Sequence, residues 1–232
     1  MEDSIAKKSK NKKKRILCMV PSLPKDLNTQ CVSSILAQTV PIEMLVILPK
    51  KAEIGTLPER VSFILNEGLS HIRIEDFDYI LRVDGDTVLP ADFLEECLKG
   101  EPDLYGDWGY AMLIKTQPFL KLMNGKLHPE SDDSYIIHKF IAEKQKVFHR
   151  QIKLVQTRKR PHNMNDLLAC GEIYYKLGYE PFHVLSFFGN RRLKDMLLVV
   201  IGYFNALVRR ERKFDVASYV WRHQTRKIAF RT

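Results

Sequence analysis

Asp84 and Asp86 flank Gly85 at the end of an apolar run in DYILRVDGDTVLP (78–90), and two carboxylates at that spacing can hold a divalent cation. Mg²⁺ and Mn²⁺ take oxygen ligands, and Mg²⁺ is commonly held by one or two carboxylates together with substrate phosphates. The same three residues also make an ordinary Asp-Gly turn between a strand and a helix. By themselves they are compatible with both the turn and the metal clamp, and the choice rests on what the rest of the chain places around them.

The run before Asp84 is too apolar for an exposed loop and predicts a buried strand over 79–83, while Pro90 suits the first turn of a helix reaching Gly100. Further short apolar runs predict strands at 16–20, 44–48, 61–65 and 110–114. Between them, 29–38 places Val32, Ile35 and Leu36 on one helical face, and Phe93, Leu94, Cys97 and Leu98 do the same after Pro90. Strands alternating with helices predict an α/β domain with a mainly parallel sheet, whose ligands bind beyond the carboxyl ends of the strands. Asp84–Asp86 is expected at such an end. A helix is expected from Ser131, with Asp132 and Asp133 in its first turn, where free NH groups and the helix dipole favour carboxylates. Another is expected over 165–177, stopping at Gly178.

With 232 residues the chain can bury a substantial core, and its formal charge of +9 sits at its ends. Residues 1–15 carry seven Lys/Arg against two acids and 186–232 carry eleven against three, which leaves −4 for 16–185. A mildly acidic body argues against specific nucleic-acid binding, which needs clustered Lys/Arg on the folded surface. The lysine-rich 7–15 has no apolar side chain to bury and reads as a solvated tail. Only five apolar residues follow it, too few for a secretory signal. Cys18, Cys31, Cys97 and Cys170 lie far apart in apolar segments and read as reduced core thiols of a cytoplasmic protein. The run MLLVVIGYFNALV (196–208) is too short to span a bilayer, which takes about 20 apolar residues. With arginines on both sides, it reads as a helix packed on the domain, as one lying in a membrane interface, or as an interface for a partner protein.

Four segments occur in a telling order: SSILAQTVPIEMLVIL (33–48), NEGLSHIR (66–73), YILRVDGDTVLPADFLE (79–95) and ESDDSYIIHKFIAEKQKV (130–147). Together they resemble the family 2 glycosyltransferases, nucleotide-sugar enzymes with a GT-A fold that are usually inverting, over roughly residues 15–185. The resemblance implies a single GT-A (Rossmann-like) domain at 16–185, between a tail at 1–15 and a basic helical extension at 186–232. It places Pro21 and Ser22 at the nucleotide and Arg73, from the Gly68-Ser70-Arg73 element, near the donor. It makes Asp84 and Asp86, around Gly85, the ligands of Mn²⁺ or Mg²⁺. The acidic pair opening the acceptor-side helix is matched by Asp132 and Asp133. Two positions depart from the family pattern: Pro49, Lys50 and Lys51 stand where an acidic pair commonly reads the base, and the histidine that often adds a metal ligand is matched out of register by His149 or His162, of which His162 is the candidate here.

The chemistry implied is displacement of a nucleoside diphosphate from a sugar. The cation and Arg73 would neutralise the leaving diphosphate, and Asp133, with Asp132 beside it, would take the proton of the acceptor hydroxyl. The expected partners are a UDP- or GDP-sugar and a glycan or lipid-linked acceptor, in the cytoplasm or peripherally at the inner face of the membrane. Two rivals stand beside this reading. A nucleotidyltransferase of similar build would want a glycine-rich loop after the first strand, and PSLPKDLN (21–28) has no glycine. A non-catalytic basic module for membrane or nucleic acid would use the charged ends.

Overall fold

The computed structural model describes residues 14–22, 27–49, 55–107, 110–149, 152, 154–157, 163–186 and 193–229. In chain order the described elements are β1 (Ile16–Ser22), α1 (Thr29–Leu36), β2 (Met44–Pro49), α2 (Leu57–Ser70), a 3₁₀ turn (Ile74–Asp76), β3 (Tyr79–Val83), β4 (Thr87–Val88), α3 (Phe93–Leu98), β5 (Leu104–Asp107) and β6 (Ala111–Lys115). There follow α4 (Thr116–Met123), α5 (Ser134–Ala142), β7 (Val147–Phe148), β8 (Val155–Gln156), α6 (Met164–Lys176), α7 (Pro181–Ser186), α8 (Leu193–Val208) and α9 (Ala217–Ala229).

Six strands form one sheet in the order β2-β1-β3-β6-β5-β7, and β4 pairs with β8 in a small second ribbon. β1 runs parallel to both β2 and β3, and β5 runs parallel to β7. β6 is antiparallel to β3 and to β5, so it alone opposes the common direction. The sheet is mostly parallel, as expected, but the strand expected over 110–114 is the reversed one.

Side chains alternate between two cores, one on each face of the sheet. Leu17, Met19, Ile80, Met112 and Ile114 pack with Ile64 and Leu65 of α2 and with Ile136, Ile137 and Phe140 of α5. Ile16, Cys18, Val20, Leu81 and Val83 pack on the other face with Cys31 and Ile35 of α1 and Phe93, Leu94 and Cys97 of α3. Covered on both faces, β1 and β3 are buried at every position, which explains their continuous apolar runs.

Two local expectations are corrected. The apolar run 61–65 is part of α2, not a strand. Its start is fixed by a capping box, in which Glu59 Oε2 accepts a hydrogen bond from Thr56 N at 2.7 Å, with Pro58 in the first turn. Helical spacing then buries Ile64, Leu65 and Leu69 and leaves Phe63 facing out. The helix expected from Ser131 begins three residues later: Asp133 is its N-cap and Ser134 its first residue. Asp132 therefore lies outside the helix, and it turns inward.

The last helices are not a free appendage. Leu167, Ile173 and Tyr175 of α6 share a third core with Val184 of α7, Val199, Tyr203 and Ala206 of α8 and Val220 of α9. Residues 185 and 186, where the extension was expected to begin, fall at the end of α7, inside this helical layer. α6 and α8 cross with their backbones in near contact. A Cβ on Gly171 would lie 2.0 Å from Val199 O, and one on Gly202 would lie 2.0 Å from Leu168 O. The layer is tied to α5 through Asp215, which accepts hydrogen bonds from Tyr135 Oη at 2.8 Å and Lys139 Nζ at 2.9 Å. Among the described residues no helix is long and apolar enough to cross a membrane.

Candidate active site

Parallel strands bring their carboxyl ends to one edge, and there β1 delivers Pro21 and Ser22 beside the turn that follows β3. Asp84–Thr87 is a tight turn closed by Thr87 N donating to Asp84 O at 2.9 Å. Its first three carbonyls are held from two parts of the chain, the start of α1 and the residue after β8. Cys31 Sγ approaches Asp84 O at 3.5 Å, Asn28 N donates to Gly85 O at 3.0 Å, and Thr157 donates to Asp86 O through both N (2.9 Å) and Oγ1 (3.0 Å). Gly85 has no room for a side chain, since a Cβ would sit 2.5 Å from Ser22 Oγ and 2.6 Å from Ser22 Cβ. The turn is thus seated on the end of β1, and Asp86 is only 4% exposed.

Arg82 joins this turn to the second acidic pair. It precedes Asp84 by two residues on β3, so its side chain shares the α2–α5 face of the sheet with Ile80. Its Nη2 lies 3.1 Å from Asp84 Oδ1 and 3.0 Å from Asp132 Oδ2, and Arg82 and Asp132 are both buried. One guanidinium thus faces Asp84, Asp132 and, at longer range, Asp133. Burial works against its charge, yet the three carboxylates prevail and hold it firmly protonated. Burial pushes the Asp132 carboxyl up, to about 7, against the opposing pull of Arg82 and with Asp133 and Asp84 adding to the rise. Upward is the expected direction, because one cation cannot neutralise three acids at once. Asp133 is half-buried, and its Oδ1 accepts from Ser134 N at 2.5 Å, which orients it as the cap of α5.

The structure therefore gathers Pro21, Ser22, Asp84, Gly85, Asp86, Asp132 and Asp133 at one sheet edge. It does not bring Arg73 there. Arg73 precedes the N-terminal end of β3, a five-residue strand about 16 Å long at roughly 3.3 Å per residue, whereas Asp84 follows the C-terminal end. Its side chain is 80% exposed and pairs with Asp76 at 3.6 Å. Among the described residues, the cation that meets these carboxylates is Arg82 instead. His162 lies outside the described residues, and His149 Nδ1 is within 3.3 Å of Gly106 O, on β5.

The donor set at the turn is made of hard carboxylate oxygens, which suits Mg²⁺ or Mn²⁺ and not a thiophilic ion. Among the described residues no cluster of three side-chain ligands is present. Asp86 and Asp84 would accordingly hold an ion whose other positions belong to phosphate or water, a common arrangement for Mg²⁺.

No protein-family model and no curated protein matches the chain. Solved structures do. A mannosyltransferase from Pyrobaculum calidifontis, PcManGT, solved with GDP-Man and Mn²⁺, superimposes with a TM-score of 0.55 at 12% identity, covering 94% of this chain and 81% of its own. A Drosophila β-1,4-galactosyltransferase 7, solved with manganese, UDP-Gal and xylobiose, gives a TM-score of 0.48 at 15% identity over 63% of this chain and 72% of its own. A cytidylyltransferase from Leptospira borgpetersenii gives 0.43 at 13% identity over 87% and 98%. The fold is GT-A-like. At these identities the likeness speaks for architecture alone.

Proposed function

We propose that this chain is a glycosyltransferase of the family 2 type, moving a sugar from a UDP- or GDP-sugar to an acceptor hydroxyl with inversion. The observation that carries the reading is the junction of two acidic pairs, Asp84–Asp86 and Asp132–Asp133, through Arg82 at the carboxyl edge of a GT-A-like sheet. The mannosyltransferase that shares this architecture was solved with a nucleotide sugar and Mn²⁺, which supports the same donor class here.

In this reading Asp86 and Asp84 hold the cation, and Pro21 and Ser22 wall the nucleotide side. When bound, the ion neutralises the charge growing on the leaving diphosphate. Asp133, the more accessible of its pair, takes the proton from the acceptor hydroxyl as its oxygen attacks the anomeric carbon from the side opposite the diphosphate. Asp132, locked to Arg82, holds the loop from which Asp133 projects. The acceptor is a glycan or a lipid-linked saccharide.

The test is release of nucleoside diphosphate by the purified full chain from UDP- and GDP-sugars with Mn²⁺, screened beforehand by thermal shift. EDTA is expected to abolish donor binding, and Asp133→Asn is expected to keep donor binding and lose turnover. Full activity in Asp86→Ala would overturn the metal assignment, and full activity in Asp133→Asn would overturn the base.

A further inference from the structure

α8 is apolar on both sides, but only one side is covered. Val199, Gly202, Tyr203 and Ala206 face α6 and are buried. On the opposite side Leu193, Leu197, Ile201, Phe204, Leu207 and Val208 are between 43 and 80% exposed. At 3.6 residues per turn these six fall within an arc of about 120° that contains no charged residue. Such a stripe is far more ordered than the scattered exposed apolar residues of an ordinary surface.

The charges around the stripe indicate what covers it. Residues 193–224 carry six Lys/Arg against three acids: Lys194 lies at one rim, and Arg209, Arg210, Arg212 and Lys213 cluster just past the helix end. A second copy would bring an equally positive surface against this one, whereas an anionic surface is complementary to it. With 16 residues α8 is about 24 Å long, short of the roughly 30 Å hydrocarbon core, so it can lie along a bilayer but not cross it.

We infer that the uncovered face of α8 docks on an anionic lipid surface, with its apolar stripe entering the acyl boundary and the arginines at its end meeting lipid phosphates. Of the readings of this segment left open by the sequence, packing on the domain and lying in a membrane interface then both hold, one for each side of the helix. Because α6 and α8 are in backbone contact and Asp215 ties the layer to α5, docking would hold the N-cap of α5, and so Asp133, at a fixed attitude to the membrane.

The experiment is vesicle flotation of the full chain, without donor or metal, so that its outcome is separate from that of the transferase reading. Vesicles of phosphatidylcholine alone are compared with vesicles containing phosphatidylglycerol. Binding to the anionic vesicles is expected, falling as salt rises. Ile201→Gln with Phe204→Ser is expected to reduce the bound fraction about tenfold with the melting temperature unchanged, since both side chains face outward. Arg209→Glu with Arg212→Glu is expected to weaken binding to the anionic vesicles only. Both variants leave the lysine-rich residues 7–14 intact. No binding to anionic vesicles, or equal binding by Ile201→Gln/Phe204→Ser, would overturn the inference. A concentration-dependent dimer that this double variant dissolves would overturn it in favour of a second copy.

Discussion

Arg82 and Asp132, fifty residues apart in sequence, meet as a buried ion pair at 3.0 Å, and the same guanidinium nitrogen lies 3.1 Å from Asp84. The pair couples the turn after β3 to the loop before α5. Removing one partner of such a pair strands the other charge in a low-dielectric interior.

Arg82→Met should therefore cost about 3 kcal/mol of stability, measured as a shift in the urea midpoint. Asp132→Leu added to it should recover a large part of that loss, because the orphaned carboxylate disappears. Simple additivity of the two single changes would show that the pair is not energetically coupled.

The seat of the Asp84–Thr87 turn can be probed sterically. Gly85→Ala puts a Cβ 2.5 Å from Ser22 Oγ, so β1 and the turn must move apart, at an expected cost of about 1–3 kcal/mol. Ser22→Gly removes both clashing atoms. The Gly85→Ala/Ser22→Gly double variant should regain stability relative to Gly85→Ala in thermal melts, and no recovery would place the strain elsewhere.

Burial of His138 sets the sign of an expected pH dependence. Burial first, then His149, His223 and His183, lower it from 6.5 to about 4, and its Nε2 lies 2.6 Å from Tyr179 Oη. The unfolded chain accepts a proton below 6.5 that the folded chain refuses, so the stability due to neutral His138 is complete above 6.5 and is lost as the pH falls toward 4. The loss is at most about 3.5 kcal/mol at 1.36 kcal/mol per pH unit. His138→Gln should flatten the stability profile between pH 6.5 and 4, and a slope identical to that of the unsubstituted protein would refute the assignment.

The crossing of α6 and α8 leaves no room for a methyl group. Gly202→Ala would drive a Cβ to 2.0 Å from Leu168 O, and because the obstacle is helix backbone, relief requires separating the helices. A loss of more than about 3 kcal/mol is expected, beyond the usual range for overpacking by flexible side chains. Limited proteolysis should then cut within 187–229 first.

The layered α/β build could be read from the alternation of apolar runs and helical periods, because strands buried on both faces carry continuous apolar segments. The run 61–65 misled for the same reason: a few consecutive apolar residues suit a helix as well as a strand, and Thr56 and Glu59, the capping pair that decides it, lie outside the run. The reversal of β6 has no local signature, since strand direction is set by the connections. At the site, both carboxylate pairs were visible as motifs. Arg82 was not, although an arginine inside YILRV had to find a charged partner to be buried. Arg73 was misplaced because a linear motif does not reveal which end of β3 it reaches.

Thr157 has a further consequence through its double hold on Asp86 O. A chain emerging from the ribosome as far as residue 150 already contains every carboxylate of the site, but not the ribbon partner that clasps the turn. The order of synthesis thus separates having the carboxylates from having their turn shaped. The turn gains its hold on the Asp86 carbonyl only when β8 pairs with β4 and brings Thr157 against it.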